Sequence, residues 1–183
     1  MNTIVIDIET KNTFFDVGMD NFNDLEVSLI GIYSYGQNRY FSFEEHQIKE
    51  AGEMIKNSNL IVGFSINRFD IPVLKKHYDF DLFSIPRFDL LDEIEMKLGR
   101  RISLNKLAKI NLGTEKTHHS LEAPILYKDG KIDELKDYCL NDVKITKDLY
   151  DLAKKQGHLL VPIKGTDESE KMPFDFTNLA LLY

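Results

Sequence analysis

Residues 3–9 read Thr-Ile-Val-Ile-Asp-Ile-Glu, a β-branched run with no polar face until it ends in two acids. Such a run predicts a strand buried on both sides, and that strand needs packed layers above and below it. Side chains at i and i+2 of a strand point to one face, so Asp7 and Glu9 leave the same side together. They do so at the strand end, where α/β sheets commonly present their ligands.

The rest of the chain supplies partners for that strand. Residues 27–35 and 39–43 are apolar, aromatic-rich runs, and Gly36-Gln37-Asn38 between them suggests a hairpin. Residues 42–57 carry Ile48, Ala51, Met54 and Ile55 at helical spacing. Residues 59–64 predict another buried strand. Asp70 is expected to cap a helix, because Pro72 falls in its first turn and Val73, Leu74 and Tyr78 follow at helical intervals. Residues 86–89 predict a short strand leading into a helix through Leu91, Ile94 and Leu98, which Gly99 ends. Ser103 caps a further helix with Leu104, Leu107, Ala108 and Ile110. The stretch 112–129 reads mostly as loop, and 132–155 as one long helix. After Gly157 comes a polar stretch, 165–171, and then an apolar end, 174–183. Strands crowd the first half and helices the second, joined by one strand-helix-strand-helix passage, an order that predicts an α/β fold: a mixed sheet with helices on both sides. One domain over residues 1–183 is expected, with its core at about 3–156 and an extension at 157–183.

Composition narrows the setting. Hydrophobic residues make up 43% and charged residues 29%, the balance of a globular chain with a full-sized core. No run approaches ~18 apolar residues, so no membrane-spanning helix is expected, and the start of the chain lacks a signal-peptide pattern. Cys139 is the single cysteine, which leaves no internal disulfide or multi-cysteine zinc site and fits a reducing, cytoplasmic compartment. The net charge of −7 at first disfavours a nucleic-acid partner. If four acids are metal ligands, however, 26 acids remain against 23 bases, and two divalent ions cancel the four.

Two more signals carry chemistry. Asn67-Arg68-Phe69-Asp70 directly follows a predicted strand, and a helix start favours negative charge at Asp70. Tyr138 and Asp142 lie at i and i+4, one turn apart on the long helix. That face also carries core residues, so an inward Asp142 calls for a cation or strong donors.

Taken together, the segments IDIET (6–10), GFSINRFDIP (63–72) and YCLNDV (138–143) resemble the three motifs of the DEDD 3′–5′ exonucleases of the ribonuclease H-like superfamily. Tyr138, four residues before Asp142, points to the tyrosine subtype; the histidine subtype places a His one residue earlier, where Asp137 stands. The similarity covers roughly residues 3–156, including SLNKLAK (103–109). It is strongest to stand-alone domains related to the proofreading part of family B polymerases.

The resemblance implies a ribonuclease H-like sheet with Asp7, Glu9, Asp70 and Asp142 as metal ligands and Tyr138 in contact with the attacking water. Physical chemistry is consistent with that set. Four clustered carboxylates repel one another, and hard oxygen-seeking ions such as Mg²⁺ or Mn²⁺ relieve the repulsion. Two ions ~3.5–4 Å apart can stabilise both oxygens of a phosphodiester displacement. An unperturbed phenol has a pKa of about 10, so Tyr138 suits orienting a water better than deprotonating it.

The implied activity is removal of nucleotides from the 3′ end of single-stranded nucleic acid, DNA in preference to RNA, with release of 5′-monophosphates. In the family, the residues matching Thr10 and Asn67 lie beside the terminal nucleotide. Phe14, Phe15 and Phe69 offer rings for stacking on or wedging between bases, with Phe14 taken as the nucleic-acid contact; core packing is the competing reading for each. Lys11, Arg39, Arg68, Arg100 and Arg101 are candidates for backbone contacts. Asp89, at the end of a predicted strand, reads as structural. His118-His119 reads as a surface-loop pair, with transition-metal binding as the competing reading. The alternative to an enzyme is a silent nucleic-acid-binding or scaffold module of the same fold. An aspartate-nucleophile phosphatase fits less well, since that chemistry wants Asp where Glu9 stands.

Overall fold

The computed structural model of the protein describes residues 2–114 and 122–176. Strand β1 (Thr3–Thr10) lies at the centre of a five-stranded sheet of order β3-β2-β1-β4-β5, formed with β2 (Val27–Ser34), β3 (Arg39–Glu44), β4 (Leu60–Gly63) and β5 (Arg87–Asp89). β1 runs antiparallel to β2 and parallel to β4, and β4 runs parallel to β5. The sheet is therefore mixed, with helices on both faces, as the order of strands and helices predicts.

The two faces of β1 divide the core. Ile4, Ile6 and Ile8 join one buried cluster with Ala51 and Ile55 of α2 (Ile48–Lys56) and Ile71 and Leu74 of α3 (Asp70–Leu74). Val5 looks the other way, into a cluster with Ile94 of α4 (Leu90–Leu98), Leu107 of α5 (Leu104–Leu112) and Val143 and Leu149 of α7 (Ile132–Gln156). Asp7 and Glu9 share the face of Val5, so their carboxylates emerge on the side where α7 packs.

Four local expectations change. Residues 42–44 stay in β3, where Glu44 pairs with Leu29, and a 3₁₀ turn at Glu45–Gln47 delays α2 to Ile48. The sheet ladder there outweighs helical spacing. Asp70 is not an N-cap: Phe69 holds that position, and the Asp70 carboxylate turns to β1 instead. The expected loop 112–129 contains α6 (Ala123–Lys128), whose Ala123 and Leu126 pack with Leu29 and Leu135. That helix is too short to display a period. The tail forms an antiparallel hairpin, β6 (His158–Pro162) and β7 (Ser169–Pro173), whose Leu159, Val161 and Met172 bury in the α5–α7 core together with Phe174 beyond it. His118-His119 and the last residues, 177–183, lie outside the described residues.

One glycine sets the spacing of the site. Gly31 on β2 is paired with Asp7, and a Cβ there would come within 2.8 Å of Cys139 Sγ and 3.0 Å of Val143 Cγ2. The missing side chain is what lets α7 lie against the sheet beside the β1 acids. Gly31→Ala is expected to cost about 1–3 kcal/mol of stability in denaturant unfolding, through overpacking. It should also displace α7, and with it Tyr138 and Asp142, away from the β1 acids in a crystal structure of the variant. Unchanged stability and an unmoved helix would contradict this role.

Candidate active site

β1 runs on beyond β4: their pairing covers only Thr3↔Leu60 to Val5↔Val62. The backbone of residues 6–10 is thereby left without a strand on that side. A buried N–H needs an acceptor, and the Asp70 carboxylate supplies one, accepting from Ile8 N at 3.0 Å. This single bond explains how an acid from the β4–α3 segment is held beside the acid pair of β1. On the opposite flank, α7 brings Tyr138 and Asp142 to the same place through the Gly31 contact.

Asp7, Glu9, Asp70, Tyr138 and Asp142 all line one cavity of about 620 Å³. Asp70, Asp142 and Tyr138 are each only 4% exposed. One oxygen each from Asp7 and Glu9, with the sulfur of Cys139, lie within 4.8 Å of one another. Asp70 and Asp142 border the same space without joining, among the described residues, a group of three that tight. Cys139 sits 3.5 Å from the Asp7 carbonyl oxygen and 3.6 Å from Asp7 Oδ2. Burial and then the charges of Asp7, Glu9 and Asp142 push its thiol well above the ordinary range. Its place in the acid cluster is not legible from the sequence, where Cys139 is one more apolar-face residue of a helix.

The electrostatics are those of crowded, half-desolvated anions. Burial raises Asp70 to about 7, with a push from Asp89, against the hydrogen bonds it accepts from backbone N–H groups, Ile8 among them. Burial likewise raises the Tyr138 phenol, and Glu9, Asp142 and Asp7 raise it further. The phenol is therefore neutral at physiological pH. Four carboxylates on one cavity, Asp7, Glu9, Asp70 and Asp142, suit hard divalent cations, which take oxygen ligands.

The Asp70 shift has a sign that can be checked. A carboxyl whose folded pKa is raised holds its proton longer in the native state. In cation-free buffer its stabilisation is complete below about pH 4 and is lost as pH rises toward 7, by up to about 1.4 kcal/mol per pH unit. Burial lowers His77, which acts in the opposite direction over part of this window, so the comparison must be with Asp70→Asn. That variant keeps the acceptor for Ile8 N. Its cation-free stability should fall less between pH 4 and 7 than that of the wild type; parallel curves would refute the shift.

The expected nucleotide contacts fare differently. Thr10 lines the cavity, and its hydroxyl donates to Asn12 O at 2.7 Å. Phe14 also lines it, but its ring is held edge-on by Phe22 and Phe69, with centroids 5.2 and 5.9 Å away. Phe15, beside it on the short helix α1 (Phe14–Val17), is 89% exposed at the same cavity. Asn67 is turned into a different network: its Nδ2 donates to Asp92 Oδ2 at 2.8 Å, and its Oδ1 accepts from Arg87 Nε at 2.8 Å. Asp89 is the hub of that region. It caps α4 and accepts from Ser65 N at 2.7 Å and Asn67 N at 3.0 Å.

Comparison with known proteins identifies the family and the fold. A family model described as RNase_H superfamily (RNase_H_2) matches residues 4–154. The fold is similar to part of the family B DNA polymerase of the hyperthermophilic archaeon Pyrobaculum calidifontis, at a TM-score of 0.65 and 19% identity. That alignment covers 85% of this chain and 24% of the polymerase, so the chain spans about a quarter of that protein's length. No curated protein sequence matches the chain. No helix of the described residues is long and apolar enough to cross a membrane.

Proposed function

The chain belongs to the RNase_H superfamily, and we propose that within it this protein is a metal-dependent 3′–5′ exonuclease acting on single-stranded nucleic acid, with DNA favoured over RNA. The observation that carries the reading is the convergence of Asp7, Glu9, Asp70, Asp142 and Tyr138, from three separate stretches of chain, on one cavity. Asp7, Glu9, Asp70 and Asp142 are the residues that would hold two Mg²⁺ or Mn²⁺ ions. When bound, such ions neutralise the carboxylates and stabilise charge on the attacking and leaving oxygens of a phosphodiester.

The protein's own groups have distinct tasks in this reading. Asp70, fixed by Ile8 N, keeps one donor in place before any ligand arrives, which lowers the ordering cost of cation binding. Tyr138 is neutral and buried, so its phenol holds the attacking water by a hydrogen bond and takes no proton from it. That water adds to phosphorus, the bond from phosphorus to the 3′ oxygen breaks, and a proton ends on that oxygen. The products are a nucleoside 5′-monophosphate and a strand one unit shorter, with a new 3′ hydroxyl. Phe15, exposed at the cavity, offers a face on which a terminal base can stack, while Phe14 supports the wall behind it.

Single strands of DNA and of RNA, labelled at the 5′ end, test the proposal. With Mg²⁺ or Mn²⁺ a ladder of progressively shorter labelled products is expected, and chelator should abolish it. Strands that are bound but stay whole under every metal would favour the silent scaffold reading instead.

A further inference from the structure

Five basic residues are candidates for holding a nucleic-acid backbone, and the structure disposes of four. Lys11 is paired with Glu26 at 3.1 Å and also with Glu45. Arg39 lies over the Phe41 ring, away from the cavity. Arg100 donates to the carbonyl of Pro162 in the C-terminal hairpin. Arg68 does line the cavity, but its guanidinium is taken up by Asp92 at 3.4 Å and Glu95 at 2.7 Å.

Arg101 is different. It is exposed, lines the cavity, and its guanidinium has Ser65 Oγ, 3.1 Å from Nη2, as its hydrogen-bond partner among the described residues. A guanidinium has five donors, so most of this one is available to a ligand. Ser65 itself sits at φ +68°, a left-handed conformation that side-chain-bearing residues rarely adopt. It is kept there by its N–H, which donates to Asp89 Oδ1 at 2.7 Å. A residue whose strained backbone is pinned through its N–H by a buried carboxylate places its hydroxyl as a fixed support for a side chain that would otherwise sweep through solvent.

We infer that Arg101 binds a backbone phosphate of the strand occupying this cavity, and that Ser65, anchored by Asp89, is the positioning residue that aims it. The inference rests on the nuclease reading above. Physically, a cavity walled by four carboxylates repels a polyanion, and a planar guanidinium on its rim is suited to grip a phosphate through two parallel N–H donors. The contact lies on the wall formed by the β4–α3 loop and the turn before α5, and neither Ser65 nor Arg101 belongs to the acid set assigned to the cations. Its task in this reading is to grip the strand, not to act on the bond being cut.

The test is the salt dependence of binding. A fluorescent oligothymidylate is titrated with wild-type protein, Arg101→Gln and Arg101→Lys in Ca²⁺ over a range of NaCl concentrations. Loss of one phosphate contact should make the slope of log affinity against log salt shallower by about 0.7 for a single strand. The wild-type advantage over Arg101→Gln should then shrink about 2.6-fold between about 50 and 200 mM salt. Arg101→Lys should restore the slope. In cleavage assays Arg101→Gln should raise KM with kcat within about twofold of wild type, the mark of lost uniform binding. Ser65→Ala should raise KM less, and should add nothing in the Arg101→Gln background, as expected for two groups acting as one unit.

A cleaving wild type whose Arg101→Gln variant keeps the full slope overturns the inference and leaves the nuclease reading standing; stacking of Arg101 on a base would give that result. A wild type that neither binds nor shortens the strand ends both.

Discussion

Asp142→Asn is expected to remove cleavage almost entirely while leaving a folded protein. Asp142 is buried on α7, one turn from Tyr138, and faces the same cavity as the β1 acids. Losing one preorganised charged group from such a site costs on the order of 10²–10³-fold or more in turnover. Stability should move the other way. In the absence of cations the carboxylates destabilise one another, so neutralising one relieves repulsion and burial cost together. A gain of about 1 kcal/mol would raise the midpoint of cation-free thermal unfolding by about 2–4 °C for a chain of this size. Wild-type protein should be stabilised by added Mn²⁺, because binding to the native state alone shifts the unfolding equilibrium, and the variant should lose most of that response. Lower activity with lower stability would mark Asp142 as a merely structural residue, and full activity would remove it from the site.

Tyr138→Phe is the second large effect, of a different kind. The phenol is buried and surrounded by negative charge, which keeps it protonated well beyond the working range. It is suited to aim a water and unsuited to deprotonate one. Removal of the hydroxyl should lower kcat by about 10²-fold or more, the scale of a misplaced reacting group. Affinity for Mn²⁺ and KM should stay within about twofold, since neither depends on the phenol. Cleavage that depends on hydroxide formed from the attacking water is expected to speed up as pH rises, and that rise should persist in the variant. If Tyr138 were the base, that rise would vanish with it. Turnover near wild type would remove Tyr138 from the chemistry.

The strand pattern was readable because burial on both faces leaves a continuous β-branched signature, as in Ile4-Val5-Ile6. The long helix was readable because its apolar residues recur over 25 positions with Gly157 at its end. Short or tertiary features were not. The helix at Ala123–Lys128 has fewer than two turns, and the β6–β7 hairpin is mostly exposed on β7, so neither carries a periodic signal. Residues 42–44 satisfy helical spacing and strand pairing equally, and the neighbour β2 decides.

The acid set was legible through the resemblance of IDIET, GFSINRFDIP and YCLNDV to the exonuclease motifs, whereas the devices that assemble it were not. Sequence makes Asp70 an N-cap; only the overrun of β1 past β4 shows why its carboxylate is needed by Ile8 N. Asn67 and Phe14 have suitable chemistry for a nucleotide, yet Asp92, Arg87 and two aromatic neighbours already engage them. Phe15 and Arg101 have equally ordinary local sequence and stand open to the cavity. Availability depends on what the rest of the fold has claimed, and that is a three-dimensional property.

The central claim is that carboxylates from three stretches of chain form one cation site. Anomalous scattering from crystals of the protein grown with Mn²⁺ tests it most directly. Two Mn²⁺ peaks about 3.5–4 Å apart, ligated by oxygens of Asp7, Glu9, Asp70 and Asp142, are the predicted result. No Mn²⁺ at those carboxylates, at a concentration that saturates any effect on stability or activity, would contradict it.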